Sequence, residues 1–211
     1  MSKASILVFI DKEMLDIKNT IKSIKGPILV TGASGFLGAN LLKLILIYRN
    51  DVIGISRCPR NWRISEIEES NFSILDLNNF QDVKFFVESY KPNTIFHLAS
   101  YGSYSFENNK DLIIQTNFNS SVNLVNLLNK KGISAFINAG SSSEYGLNCS
   151  GPSEESKCLP DSTYAISKLA FSEYLQYLGR IDKFPCLNLR LYSVYGNFED
   201  TSRLIPSILK A

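Results

Sequence analysis

The sequence predicts a doubly wound α/β domain built on a parallel sheet, and three observations carry that reading. Short apolar runs of strand length alternate with amphipathic stretches of helical length along most of the chain. Strands separated by helices need crossover connections, which pair the strands in parallel and lay helices on both faces. One such strand runs straight into three glycines spaced three apart, "ILVTGASGFLG" over residues 28–38. With 211 residues, 45% of them hydrophobic and 20% charged, the chain can bury a sizeable core and has the balance of an ordinary globular protein.

The first element is a helix over residues 11–24, where Met14, Leu15, Ile17, Ile21 and Ile24 recur at helical spacing. Ahead of it, "SILVFI" over 5–10 is too short to cross a membrane and lacks a small-residue cleavage site, so it reads as folded structure. Gly26-Pro27 closes this N-terminal helical extension, residues 1–26. The strand "ILV" opens the next domain, the glycine turn follows, and "FLGANLLKLILIY" over 36–48 is a helix with a wide apolar face. Strands are expected over 51–56 and 72–77, a helix over 80–90, a buried strand over 94–99 and a long helix over 110–131. The pattern closes with a strand over 134–140, a helix over 162–179 and a strand over 186–192. Trp62, Phe85 and Phe86 are expected against the sheet, and His97 is expected to be a hydrogen-bonded core residue.

A net charge of +2 gives no basis for a nucleic-acid or membrane-surface partner. Cys58, Cys149, Cys158 and Cys186 show no CxxC or Cys/His spacing, so reduced thiols are expected and a metal site is not. The glycosylation sequons "NFS", "NSS" and "NCS" are chance matches in a chain expected to be cytoplasmic.

Three constellations carry chemistry. In "TGASGFLG", glycine permits a tight strand-to-helix turn, lets the backbone come close to an anion and packs the helix on the strand. Gly32, Ser34, Gly35, Phe36, Leu37 and Gly38 are then candidate contacts of a dinucleotide pyrophosphate facing the helix N-terminus. The bland reading is the same turn with no ligand. The next strand ends at Ser56-Arg57, with Arg60 close behind, where an NAD-specific domain carries an acid about 20 residues on. A guanidinium there suits a 2′-phosphate, so NADP is the expected cofactor; NAD is the alternative, with Arg57 solvated beside it. Asp76, with Leu77 beside it, is placed for the adenine amine or is a turn aspartate.

Tyr164 and Lys168 share a helix face, and of ten tyrosines only this one has a lysine four residues on. A nearby ammonium is expected to lower the phenol pKa from about 10 and make it a proton donor or acceptor for a carbonyl or hydroxyl. Such a pair alone is more often a helix-surface contact. Ser141, in the run "GSSSEYG" after a strand's carboxyl end, is placed to hold the same substrate oxygen. Cys58 reads as an ordinary thiol, and Arg203 either reaches the cleft or is a solvated helix-end residue.

Together "TGASGFLG", "FHLAS", "GSSSEYG", "YAISK" and "LRLYSVYG" resemble, in order and spacing, the extended short-chain dehydrogenase/reductases, the NAD(P)-dependent nucleotide-sugar epimerases and dehydratases. The resemblance covers about residues 27–211. It implies a Rossmann domain over 27–200 and, over 201–211, the start of a smaller nucleotide-sugar lobe largely absent from this chain. It also implies Tyr164 as catalytic acid/base, Lys168 bonding the nicotinamide ribose, and Ser141 as the catalytic hydroxyl, with Ser142 the fallback. Leu98, Ala99 and Ser100 of "FHLAS", Asn117 of the long helix, and Tyr192 and Val194 beside the nicotinamide complete the implied cofactor set. A homodimer is implied through the long helix and the Tyr164 helix, with Leu124, Val125, Leu128, Ala170, Phe171, Tyr174 and Leu175 able to supply the face, although some of them must pack on the chain's own sheet.

Two departures shape the expected function. Dehydratase members carry Asp-Glu directly after the catalytic hydroxyl, where this chain has Ser142 and Ser143. Action at C4 of a nucleotide-activated sugar, as a 4-epimerase or 4-keto reductase, is therefore expected over 4,6-dehydration. Members also continue for about another hundred residues, where this chain stops at "RLIPSILKA". The rival from another class is a non-catalytic dinucleotide-binding module, which needs only the glycine turn.

Overall fold

A computed structural model describes residues 16–104 and 106–210. The expected "SILVFI" element and the start of the first helix lie outside the described residues. Helix α1 occupies 16–23 and is followed by β1 (Ile28–Thr31), α2 (Phe36–Leu46), β2 (Val52–Ser56), β3 (Phe72–Ile74), α3 (Phe80–Tyr90) and β4 (Thr94–His97). Then come α4 (Lys110–Ile114), a π-helical turn (Gln115–Asn119), α5 (Ser120–Lys131), β5 (Ala135–Ser141), α6 (Thr163–Ile181), β6 (Cys186–Leu191) and α7 (Leu204–Lys210). The strands form one six-stranded sheet in the order β3-β2-β1-β4-β5-β6, with every pairing parallel. This is the expected Rossmann-type fold. The strand order reverses between β1 and β4, which opens a crevice at their carboxyl ends, the usual ligand position in open α/β sheets.

The alternation of a strand sends neighbouring residues to opposite faces. Leu29, Ile55, Ile95 and Phe136 meet α3, α5 and α6 through Val83, Val87, Leu124, Leu128, Phe171 and Leu175. Ile28, Val30 and Val52 face the other way, against α1, α2 and the segment 61–71, through Ile21, Ala39, Leu42, Ile45, Ile64 and Ile67. This second layer stops short of β6, where Leu187 and Leu189 are 55% and 39% exposed. Helix α7 buries none of its residues.

Several expectations need correction. The third strand ends at Ile74, so Asp76 lies in the turn beyond it, where its Oδ1 accepts from the Asn78 backbone N–H at 2.9 Å. The long helix is broken by its π turn, which rotates Asn117 inward to 3% exposure. Phe86 packs against the core, but Phe85 is on the outer side of α3, away from Val83 and Val87, and Trp62 turns outward against Phe198 and Arg63. Leu124, Val125, Leu128, Phe171 and Leu175 are buried within the chain's own core and are not available to a partner. A helical period marks an apolar face without saying what covers it.

His97 is a hydrogen-bonded core residue, as expected. Thr31 Oγ1 accepts from the N–H groups of both Leu98 and Ala99 at 3.1 Å, so its own hydrogen goes to His97 Nδ1 at 2.9 Å. The imidazole proton is thereby assigned to Nε2, which meets Ser121 Oγ at 2.9 Å. Burial pushes the imidazole down to about 3, with the Lys168 charge adding to the effect. No described helix is long and apolar enough to cross a membrane.

Candidate active site

The glycine turn is shaped by backbone proximity. Gly32 has φ +67°, and a Cβ there would meet the Ala99 backbone nitrogen at 2.7 Å. A Cβ on Gly38 would collide with the Gly32 carbonyl oxygen and come within 2.8 Å of Ala33 Cα, so α2 packs on the turn only because residue 38 has no side chain. Gly35 differs: only the Gly32 oxygen lies near its Cβ position, at 3.2 Å. Gly35 is also the N-cap of α2 and supplies no side-chain acceptor, and the first turn carries no acid. The N–H groups of Phe36, Leu37 and Gly38 are those that helix geometry leaves without intrahelical partners. An uncapped helix start beneath an open glycine fits the pyrophosphate of a dinucleotide.

At the end of β2, the Ser34 and Ser56 hydroxyls pair at 2.5 Å, and Asn61 Nδ2 holds the Ser34 carbonyl at 2.9 Å. Arg57 is exposed, yet it leans back over the Tyr101 ring with its guanidinium carbon 5.3 Å from the centroid. That direction lies along the carboxyl edge of the sheet. Leu77 is buried beside Asp76, Leu98 and Ala99 are half-buried, and Ser100 is exposed.

Asn117 is committed inside the protein. Its Oδ1 accepts from Tyr101 N–H at 2.8 Å, and its Nδ2 donates to the Tyr101 carbonyl at 2.8 Å and to Ser167 Oγ at 3.0 Å. It ties the loop after β4 to α6, which puts it in a positioning rather than a ligand-contacting place. Tyr192 and Val194 are exposed beyond β6. Arg203 donates to the Ser103 carbonyl at 3.3 Å and stacks 4.4 Å from the Tyr104 ring, at the edge of the same crevice.

Ser141 is the last residue of β5. Its Oγ accepts from Ser143 N–H at 3.1 Å, and its own N–H donates to Glu144 Oε1 at 2.9 Å, a reciprocal capping box on the short 3₁₀ turn Ser142–Tyr145. Tyr164 is in the first turn of α6, which Ser162 caps through Ala165 N–H at 3.2 Å. Burial pushes the Tyr164 phenol above its ordinary value; the Ser100 and Ser141 hydroxyls and the Arg203 charge oppose this, and Glu144 adds to it. The expected lowering by Lys168 is not found. Lys168 Nζ instead donates to the Ala139 carbonyl at 2.6 Å, and its burial lowers it to about 8, with Glu144 opposing the fall.

The sequence reading missed a polar layer beneath these residues. Arg190 Nε meets Glu144 Oε2 at 2.8 Å; beside them Asn138 Nδ2 donates to Asn188 Oδ1 at 2.6 Å, and Asn188 Nδ2 to Ser172 Oγ at 3.0 Å. The Ser-x-x-Glu pattern of Ser141 and Glu144 was a visible capping signal, whereas nothing local points to Arg190.

The family model for the NAD dependent epimerase/dehydratase family matches residues 28–211. The chain belongs to that family. Among curated members it is similar to Protein CapI of Staphylococcus aureus, 31% identical over 80% of this chain and 54% of the relative. It is also similar to the dTDP-glucose 4,6-dehydratase of Haemophilus influenzae, 28% identical over 86% of this chain and 60% of that enzyme. The UDP-glucose 4-epimerase of Thermotoga maritima, solved with UDP-glucose, superposes with a TM-score of 0.74 at 25% identity, over 83% of this chain and 58% of that one. The chain thus spans a little over half the length of the family members it matches.

Proposed function

We propose that this chain is the dinucleotide-binding and proton-transferring part of an NAD(P)-dependent oxidoreductase acting at C4 of a nucleotide-activated sugar, as a 4-epimerase or 4-keto reductase. The observation that carries the reading is the convergence of Ser141, Tyr164 and Lys168 beside an uncapped glycine turn at one edge of a parallel sheet. A nicotinamide dinucleotide, when bound, supplies hydride transfer to or from the sugar carbon.

The chain's residues divide the remaining work. The turn from Gly32 to Gly38 would hold the pyrophosphate, and Ser56 and Arg57 would hold the adenosine ribose. Lys168, lowered to about 8 by burial and bonded to the Ala139 carbonyl, would hold a ribose hydroxyl of the dinucleotide when it is bound. Tyr164 gives or takes the proton of the C4 oxygen, and the hydroxyl of Ser141 orients that oxygen. Burial holds the proton on the Tyr164 phenol and makes it a weaker acid, so a bound substrate or cofactor has to offset that cost before the proton moves.

Dehydration is the second reading, because a relative at 28% identity is named a 4,6-dehydratase. Two features weigh against it. Ser142 and Ser143 supply no carboxyl acid, and the next carboxylate, Glu144, is buried and paired with Arg190. For the cofactor we favour NADP, since no acid ends β2 and Arg57 lies along the crevice edge. An arginine–phosphate contact of about 1.5–3 kcal/mol corresponds to roughly ten- to a hundredfold in dissociation constant. Arg57→Ala is expected to remove most of that preference; equal wild-type affinities for NAD and NADP defeat it. A homodimer is carried as a proposal resting on α6, where Ile166, Tyr177 and Ile181 remain exposed, and sedimentation as a monomer at micromolar concentration counts against it.

The experiment for the reaction follows nicotinamide absorbance with 4-keto and 4-hydroxy nucleotide sugars. Tyr164→Phe is expected to abolish turnover and leave dinucleotide affinity within about threefold, a change below one tenfold step. An active Tyr164→Phe variant overturns the catalytic role.

A further inference from the structure

Beneath Ser141 lies a carboxylate that the proposed reaction does not use. Glu144 is 0% exposed, and each of its oxygens has its own partner: Oε1 takes the Ser141 backbone N–H at 2.9 Å, and Oε2 takes Arg190 Nε at 2.8 Å. Arg190 also donates through Nη1 to the Tyr145 hydroxyl at 3.2 Å and the Glu154 carbonyl at 3.1 Å, with its guanidinium carbon 4.8 Å from the Tyr145 ring centroid. The backbone makes room for this pair. A Cβ on Gly140 would lie 2.7 Å from Glu144 Oε1 and 2.8 Å from the Asn188 amide.

A carboxylate withdrawn from water is costly unless paired, and an apolar pair of similar volume is often at least as stable. A contribution to stability is therefore a weak reason for this arrangement, and its position offers a better one. Ser141 sits opposite Leu191 in the β5–β6 register, one residue beyond Arg190. The ion pair thus clamps the two strands at the point where β5 delivers Ser141 to the crevice. The Glu144 charge also reaches the two other candidate residues, favouring the phenol of Tyr164 and the ammonium of Lys168.

We infer that Glu144 and Arg190 are a positioning pair for Ser141: they fix the backbone at the end of β5, and with it the direction of the serine hydroxyl toward Tyr164, while Arg190 ties the same point to the following loop through Glu154. The catalytic consequence rests on the proposed function; the clamp on the backbone does not.

Residue-by-residue amide exchange by NMR tests this on the 211-residue chain without any substrate. In Glu144→Gln the charge-assisted bond becomes a neutral one, and the Ser141 amide is expected to exchange about tenfold faster. The Ile137 amide, in the middle of β5, keeps its wild-type rate. Arg190→Lys keeps the charge but loses the planar fork, and is expected to speed Ser141 exchange by less. An unchanged Ser141 rate in both variants overturns the inference, and so does equal acceleration of Ser141 and Ile137, which marks general destabilisation alone. If Glu144→Gln does not fold, Arg190→Lys decides by the same two rates. Parallel titration with NADP separates the two claims. A wild-type chain that binds no dinucleotide defeats the proposed function while the exchange result still stands. Where turnover is found, Glu144→Gln lowers kcat with dinucleotide Kd unchanged; a change in Kd alone contradicts a role through Ser141.

Discussion

Leu29 and Val30, neighbours on β1, point to opposite faces of the sheet and both are 0% exposed, whereas Leu187 and Leu189 on β6 are 55% and 39% exposed. The difference is one of layers. β1 and β2 lie between α1 and α2 on one face and α3, α5 and α6 on the other, while β6 is covered on the α6 face alone. The glycine turn therefore rests on a strand that is covered on both faces. The half that ends in Ser141 is held from one side, where Asn138, Glu144, Asn188 and Arg190 add a polar layer to the apolar packing of Phe136 on Phe171 and Leu175. Apolar packing positions the glycine-turn edge; at the edge that carries Ser141, hydrogen bonds and an ion pair add to it.

Mutations at matched depth sharpen this comparison. Leu42→Ala removes a fully buried side chain from the doubly covered half and is expected to cost about 2–5 kcal/mol in urea unfolding. A cost below about 1 kcal/mol means that the second layer contributes little packing. Gly38→Ala forces a methyl against the Gly32 carbonyl and Ala33. The expected loss is about 1–3 kcal/mol, together with weaker dinucleotide binding; wild-type stability and affinity in that variant contradict the close packing of α2 on the turn.

A pH-dependent effect comes from His97, at the junction of the two halves. Its folded pKa of about 3 lies below the ordinary 6.5, so the unfolded chain binds a proton that the native chain refuses. Its contribution is fully present above pH 6.5 and is lost as pH falls toward 3, with a slope of at most about 1.4 kcal/mol per pH unit. His97→Asn is expected to flatten stability against pH within that window; parallel curves for variant and wild type contradict a neutral buried imidazole. The smallest effect is expected on the open face, where Leu189→Ser changes stability by no more than about 0.5 kcal/mol. A loss of 2 kcal/mol or more there means that this face is covered in solution.

Most of this division was legible in the sequence because strands and helices announce themselves by local period. β1, β2, β4, β5 and β6 fall within a residue or two of the apolar runs, and Ser141 does stand at a strand end. What escaped depends on partners far along the chain. Within the π turn the Asn117 amide holds Tyr101 and Ser167, from 16 residues before and 50 after. The helical spacing of Tyr164 and Lys168 suggested a lowered phenol pKa, but the ammonium is directed by the Ala139 carbonyl, and burial acts the other way on the phenol. Phe171 and Leu175 showed an apolar period that fits either a partner helix or the chain's own sheet, and their burial assigns them to the sheet.

The most direct test of the dinucleotide edge is a calorimetric titration of NADP and NAD into the folded wild-type chain, Gly38→Ala and Tyr164→Phe. Saturable binding is expected in the wild type, tighter for NADP, retained in Tyr164→Phe and weakened in Gly38→Ala. A folded wild-type chain that binds neither dinucleotide contradicts the assignment of the glycine turn and the proposed function with it.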